Sequence, residues 1–295
     1  MNEFKTYHPI VNFAYFGFVI AFSMVFMHPF CLAVSLVCAF VFSVMLKGRK
    51  AVKTNLMYML PVMLLTALAN PLFSHAGTTV LCYLPSGNPL TLESVEYGLA
   101  AAAMLVGVLC WFSCFNAVMT SDKLVCLFGR AIPSLSLILS MTLRFVPRYA
   151  AQLKTVVRAQ KCLGRDMSSG SLIERAKHGL SILSVLTTWA LENAVDTADS
   201  MKSRGYGLPG RTAFSIFRFD RRDKAALACI FVLGAYVCVG GLCGALDFHY
   251  FPAVGGAEYS VFGASVFAAY LALCALPIVI ELWEVRRWKA IESNT

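Results

Sequence analysis

The sequence predicts an all-α, polytopic membrane protein with about six transmembrane helices and a cytoplasmic insert of amphipathic helices between the fourth and fifth. Three observations carry this expectation. Of the 295 residues, 58% are hydrophobic and 14% charged, against about 45–50% and about 25% in soluble domains. The apolar residues gather in runs of roughly 17–25, enough to cross about 30 Å of hydrocarbon. Most of the Lys and Arg residues behind the net charge of +9 fall in one stretch, Thr120–Asp223.

The expected spans are about Ile10–Met27, Phe30–Leu46, Leu56–Phe73, Val95–Met119, Ala225–Leu246 and Ser260–Leu282. The residues before Pro9 are polar and the first apolar run is long enough to span, so no cleavable signal peptide is expected. His28-Pro29 predicts a tight turn, because proline cannot continue the first helix. Lys47, Arg49, Lys50 and Lys53 separate spans two and three and belong on the cytoplasmic side. Alternation then places both termini inside and the loops at His28, Ser74–Ser94 and Asp247–Tyr259 outside. Those loops contain no Lys or Arg; they carry Glu93, Asp247 and Glu258. The tail adds Arg286, Arg287 and Lys289 on the inside, with Trp283 and Trp288 suited to an aromatic belt. The chain thus divides into 1–119, spans one to four; 120–223, the insert; and 224–295, spans five and six with the tail. Pro133–Val146 is apolar enough to read as a seventh span but is short for one.

The spans hold no Asp, Glu, Lys or Arg at mid-depth. Proton and sodium relays need such groups, which counts against a self-sufficient secondary transporter. The eleven cysteines form no Cys-x-x-Cys pair and lie mostly in apolar runs, as small buried hydrophobes do. His178 is isolated, and His75 and His249 sit in separate loops, so no convergent set for a membrane-embedded enzyme emerges. No cofactor or metal is expected.

Within the insert, Ala176–Arg204 is the clearest helix. Leu180, Leu183, Leu186, Ala190, Ala194, Ala198 and Met201 recur at spacings of three and four, and Glu192, Asp196 and Asp199 fall opposite. Gly205 suits the position just past its end, and Pro209 prevents continuation. Arg204 then stands at an exposed helix end. It either caps its own carbonyls or reaches a partner's groove as a guanidinium fork. A second helix is expected after Pro147, with Tyr149, Leu153, Val156 and Leu163 as its apolar stripe and Arg148, Lys154, Arg158 and Lys161 as a basic face. It ends at Gly164, followed by Arg165. Two similar endings about forty residues apart suit a two-part partner, while the basic helices also suit anionic lipid. Basic residues interleaved with acids, and no binding motif, count against nucleic acid.

These features together resemble the transmembrane T component of energy-coupling factor (ECF) transporters, the vitamin and metal-ion importers of prokaryotes. The resemblance covers nearly the whole chain. His8-Pro9 is similar to the family's opening, and Leu143-Arg144-Phe145-Val146-Pro147 to its Leu-Arg-Phe-hydrophobic-Pro segment. Ser203-Arg204-Gly205, preceded by Ala198, Asp199 and Met201, matches the second of two Ala-Arg-Gly-type motifs. The first departs: Ala159-Gln160-Lys161-Cys162-Leu163-Gly164 has Leu163 in the arginine position, with Arg165 two residues later.

The resemblance implies a non-catalytic, multi-pass subunit of the prokaryotic plasma membrane. Two ABC-type ATPase subunits would dock at Arg204, Ser203, Gly205, Gly164 and Arg165. Arg144, Pro147 and Gln160 would belong to the coupling helices. A separate S component would capture the vitamin or metal ion. The chain has no Gly-x-x-x-x-Gly-Lys-[Ser/Thr] phosphate loop, so ATP would be handled by those partners. A standalone channel or secondary transporter is the alternative.

Overall fold

Long apolar runs leave the backbone no partner in lipid except itself, and the chain accordingly folds as helices. The computed structural model describes residues 3–74, 76–83, 89–131, 133–165, 171–206, 208, 217–256 and 260–292. His75, Pro209 and Glu258 of the sequence reading lie outside them. In chain order the helices are α1 (Pro9–Val25), α2 (Pro29–Lys47), α3 (Arg49–Phe73), α4 (Leu92–Val118), α5 (Ser121–Ala131), α6 (Pro133–Cys162), α7 (Leu172–Ser203), α8 (Arg221–Leu242) and α9 (Val261–Glu292). A 3-10 turn, Glu3–Thr6, precedes α1. Helices α2, α4, α8 and α9 are long and apolar enough to cross a membrane; Pro9–Val25 and Met57–Phe73 are shorter apolar helices. This is the all-α polytopic architecture that the apolar runs predict.

The chain forms two units, residues 1–120 with 217–295, and residues 121–216. In the first, α2 and α3 pack on α4, and α9 packs on α8 and α2. Trp111, Tyr15, Tyr270, Phe4, Phe16 and Phe42 are its largest fully buried side chains. A polar thread ties four helices together inside this apolar core. Trp111 Nε1 donates to Ser35 Oγ at 2.9 Å, Ser35 and Ser23 hydroxyls meet at 2.6 Å, and Ser23 meets the Tyr270 hydroxyl at 3.4 Å. Such bonds matter in lipid because the alternative is an unsatisfied group.

The same local device opens α1 and α2. His8 and His28 are N-caps followed by proline at the first helical position. Each imidazole Nδ1 accepts the backbone N–H two residues on, from Ile10 at 3.3 Å and from Phe30 at 3.2 Å. Pro29 thus starts α2, where its missing N–H costs nothing. At the first unit's N-terminal edge, Asp223 accepts the His8 N–H at 3.1 Å and Glu281 accepts the Glu3 N–H at 3.0 Å. Two short antiparallel hairpins, β1 (Val80–Tyr83) with β2 (Pro89–Thr91) and β3 (Phe248–His249) with β4 (Gly255–Gly256), occupy the α3–α4 and α8–α9 connections.

In the second unit, α6 packs on α5 and on α7. The sequence places a helix start after Pro147. Instead, α6 runs unbroken from Pro133 to Cys162 with Pro147 inside it. A proline removes one backbone donor and crowds the preceding turn, at about 3 kcal/mol. Side-chain packing on both sides of Pro147 outweighs that cost. Pro133–Val146 is therefore the first half of this helix and not a separate element. Helix α7 likewise starts earlier than expected, at Leu172. Ser171 and Glu174 form a capping box there: Ser171 N–H donates to Glu174 Oε2 at 2.9 Å, and Glu174 N–H to Ser171 Oγ at 3.5 Å.

Candidate functional site

The seam between α6 and α7 sets where their ends stand. Val156 of α6 and Ile182 of α7 are buried along it. Tyr149 meets Trp189 edge to face with ring centroids 5.3 Å apart, and the Arg148 guanidinium lies over the Trp189 ring at 5.6 Å. Phe145 stacks on Tyr149 at 5.7 Å. Beside this contact an open groove of about 560 Å³ runs between the helices, lined by Tyr149, Ala150, Leu153, Leu186, Ala190 and Leu191.

The predicted stripe of α7 straddles two faces. Leu186 and Ala190 line the groove against α6 and Met201 is half-buried, whereas Leu180, Leu183, Ala194 and Ala198 are exposed. Leu180 is 67% exposed. Trp189, which the stripe omits, is the side chain that fixes the packed face. Leu163, assigned to the apolar stripe of α6, is 70% exposed at its end.

Both helices end in the same backbone turn. At the end of α7, Gly205 has φ +76°, its N–H donates to Lys202 O at 3.0 Å, and the Tyr206 N–H donates to Met201 O at 3.0 Å. At the end of α6, Gly164 has φ +74°, its N–H donates to Lys161 O at 3.1 Å, and the Arg165 N–H donates to Gln160 O at 3.0 Å. This pair of bonds is the Schellman arrangement, which needs a left-handed residue after the cap. It aligns the two ends position by position. Arg204 and Leu163 are the caps, Gly205 and Gly164 follow, and Tyr206 and Arg165 come next. Helix α8 closes the same way at Gly244, with Cys243 as its cap. The turn therefore makes no demand of its own for arginine.

The Arg204 side chain makes no capping bond to its own helix. The last-turn carbonyls of Ser200, Met201 and Lys202 are taken by backbone N–H groups, and Ser200 O also accepts the Ser203 hydroxyl at 2.9 Å. Arg204 is exposed, and among the described residues its guanidinium has no hydrogen-bond or ion-pair partner. The same holds for Arg165 and Arg144. The structure brings Ser203, Arg204 and Gly205 into one turn and Gln160, Gly164 and Arg165 into another. Arg144 and Pro147 sit in the middle of α6, away from its end. The Gln160 Oε1 atom is buried without a hydrogen-bond partner among the described residues. Sequence reasoning missed the Ser171–Glu174 box, although Ser-x-x-Glu before an apolar run is its signature.

A family model described as CbiQ, cobalt transport protein, matches residues 3–214. Three curated relatives are each an energy-coupling factor transporter transmembrane protein EcfT. The one from Lactobacillus helveticus is 35% identical over 108 residues, 36% of this chain and 39% of that relative. The one from Leuconostoc gelidum is 35% identical over 103 residues, 35% of this chain and 38% of the relative. The one from Bacillus selenitireducens is 36% identical over 104 residues, 35% of this chain and 39% of the relative. The aligned segments thus span about two-fifths of the relatives they match.

Proposed function

The chain belongs to the CbiQ family, and from that premise we propose that it is the transmembrane coupling subunit of an ATP-driven, ECF-type importer. In this reading two ABC-type ATPase subunits bind the ends of α6 and α7, through Gly164-Arg165 and Ser203-Arg204-Gly205. A substrate-binding S component captures a vitamin or metal ion. The helices between them, including Arg144, Pro147 and Gln160, transmit closure of the ATPases. The chain itself hydrolyses nothing. It lies in a prokaryotic plasma membrane with both termini and residues 120–223 on the cytoplasmic side, as its Lys and Arg distribution supports.

The observation that carries the reading is that Arg204, without a partner among the described residues, stands at a helix end whose own carbonyls are already satisfied. Such a guanidinium is preorganised to fork onto a partner's carboxylates or helix-end carbonyls. The exposed apolar side chains Leu180, Leu183, Leu191 and Val195 on α7 supply surface for the S component. Replacing Arg204 by Glu should uncouple transport and weaken ATPase binding. Breaking a desolvated charge pair costs about 2–5 kcal/mol, roughly 30-fold or more in affinity. The check is ATPase co-purification together with uptake in cells. Wild-type values for both in Arg204→Glu would refute the reading. Reconstitution of the chain alone in liposomes separates it from a standalone channel or secondary transporter, since a coupling subunit moves nothing by itself.

A further inference from the structure

We propose that the crevice between α2, α3 and α4 is a phospholipid site: one acyl chain fills it, and an anionic headgroup binds Lys47 and Lys53 at its mouth. The site lies wholly within the first unit and is separate from the helix ends of the second.

The crevice has a volume of about 140 Å³ and is lined by Leu36 and Phe40 of α2, Met59 and Met63 of α3, and Val106 of α4. Its exposed lining is wholly apolar. The Asn55 amide at one end is buried and already committed, since Nδ2 donates to Ser43 Oγ at 3.0 Å. Water or a polar solute would find no hydrogen-bond partner in such a lining, so the space takes hydrocarbon. Helix order fixes how the crevice lies. The chain reverses between α2 and α3 at Gly48, so Ser43 faces Asn55 near the turn. The lining then continues away from the turn, through Phe40 and Met59 to Leu36 and Met63.

Charge at the turn identifies the occupant. Lys53 is exposed and, among the described residues, makes no hydrogen bond or ion pair. Lys47 is also exposed and gives Ser113 Oγ one of its ammonium donors, which leaves the others for an anion. Arg49 and Lys50 add charge to the same turn, while α2 and α3 contain no Asp or Glu to offset it. Met63 stands ten residues after Lys53, about 15 Å along the helix at about 1.5 Å per residue. One leaflet is half of about 30 Å of hydrocarbon. A phospholipid at full leaflet depth therefore sets its phosphate at the lysines and its chain in the crevice. A helix from another protein, about 10 Å across, is too wide for this space.

The test reconstitutes the full chain in liposomes that contain phosphatidylglycerol with a photoreactive diazirine on its acyl chain, and maps the adducts by mass spectrometry. The exposed side chains Phe231, Val232 and Val239 of α8 report ordinary contact with surrounding lipid. Adducts on Met59, Leu60 and Met63 should exceed those on α8 several-fold. Unlabelled phosphatidylglycerol should compete them away, and phosphatidylcholine should not. Replacing both lysines, Lys47→Gln with Lys53→Gln, should lower the crevice adducts about fivefold or more and leave those on α8 unchanged. Met63→Trp, which fills the crevice, should lower them with both lysines intact. Size exclusion establishes that each variant is folded, and the headgroup competition decides the matter for any that is not. Equal adducts on the two faces, or crevice adducts indifferent to headgroup and lysines, mean surrounding lipid only and overturn the proposal. A second arm labels the chain in its own host's membranes. Crevice adducts that persist there support the site; their loss assigns the crevice to a protein segment and overturns it.

Discussion

In the first unit, Trp111, Tyr15, Tyr270 and Val237 are sealed from solvent, and the hydroxyls that accompany them are bonded to one another. In the second, the described apolar side chains that reach burial are Val156 and Ile182, while Leu180, Leu183, Leu191 and Val195 stand open. Both units are helical and both carry apolar surface, yet they distribute it differently. The first completes its own core and leaves the remainder to lipid. The second packs α6 on α5 and on α7, and leaves Leu180, Leu183, Leu191 and Val195 of α7 outward. A helix with one face left open in this way is suited to be held by partners at that face and at its end.

The largest effect should come from the first core. Trp111 is fully buried and donates to Ser35, so Trp111→Ala should cost about 3–5 kcal/mol. Trp111→Phe should cost about 0.5–1.5 kcal/mol, since it removes chiefly the hydrogen bond. Thermal unfolding midpoints in detergent, followed by near-ultraviolet dichroism, would order the two. The contrasting substitution is Ile182→Ala in the seam of α7. A single layer between two helices can collapse around the lost methyls, so its cost should sit near the low end, about 2 kcal/mol. A larger loss for Ile182→Ala than for Trp111→Ala would break the comparison between the units.

A smaller effect separates the two helix ends. Gly205→Ala and Gly164→Ala both force a left-handed backbone on a residue with a Cβ, at roughly 1–2 kcal/mol each. At Gly205 the new Cβ also meets Leu208 Cδ1 at 3.1 Å, whereas at Gly164 it meets nothing within 4 Å. Amide exchange in the last turn of each helix should therefore accelerate more in Gly205→Ala than in Gly164→Ala. Equal acceleration would mean that Leu208 yields and that the left-handed backbone alone sets the cost.

The membrane helices were legible because run length is a direct reading of bilayer thickness. The glycine-ended helices of the insert were legible because few residues other than glycine tolerate a left-handed turn. Three things were not. Pro147 reads as a boundary from local propensity, but tertiary packing carries α6 through it. The α7 stripe averages two faces, because which of them meets α6 depends on Trp189 finding Tyr149, forty residues earlier in the chain. The sequence sets Leu163 in the arginine position with Arg165 two residues later, but that both helices end in one and the same turn shows only in the bonds from Arg165 to Gln160 and from Tyr206 to Met201.

The smallest effect concerns how each unit begins a helix. In the second unit, Ser171 and Glu174 exchange bonds at an exposed N-terminus, and their side chains make no other hydrogen bond among the described residues. In the first, Asp223 accepts the Asp220 N–H at 3.1 Å and also the His8 N–H at 3.1 Å, while being only 3% exposed. The first cap is thereby tied to a distant part of its unit, and the second is purely local. Ser171→Ala should cost about 1 kcal/mol. The loss should appear as faster amide exchange confined to the first turn, Leu172–Arg175, with no shift in the thermal midpoint of the first unit. A fall in that midpoint would show that the start of α7 is coupled to the membrane helices. The local cap would then be as much a part of the global fold as Asp223 is.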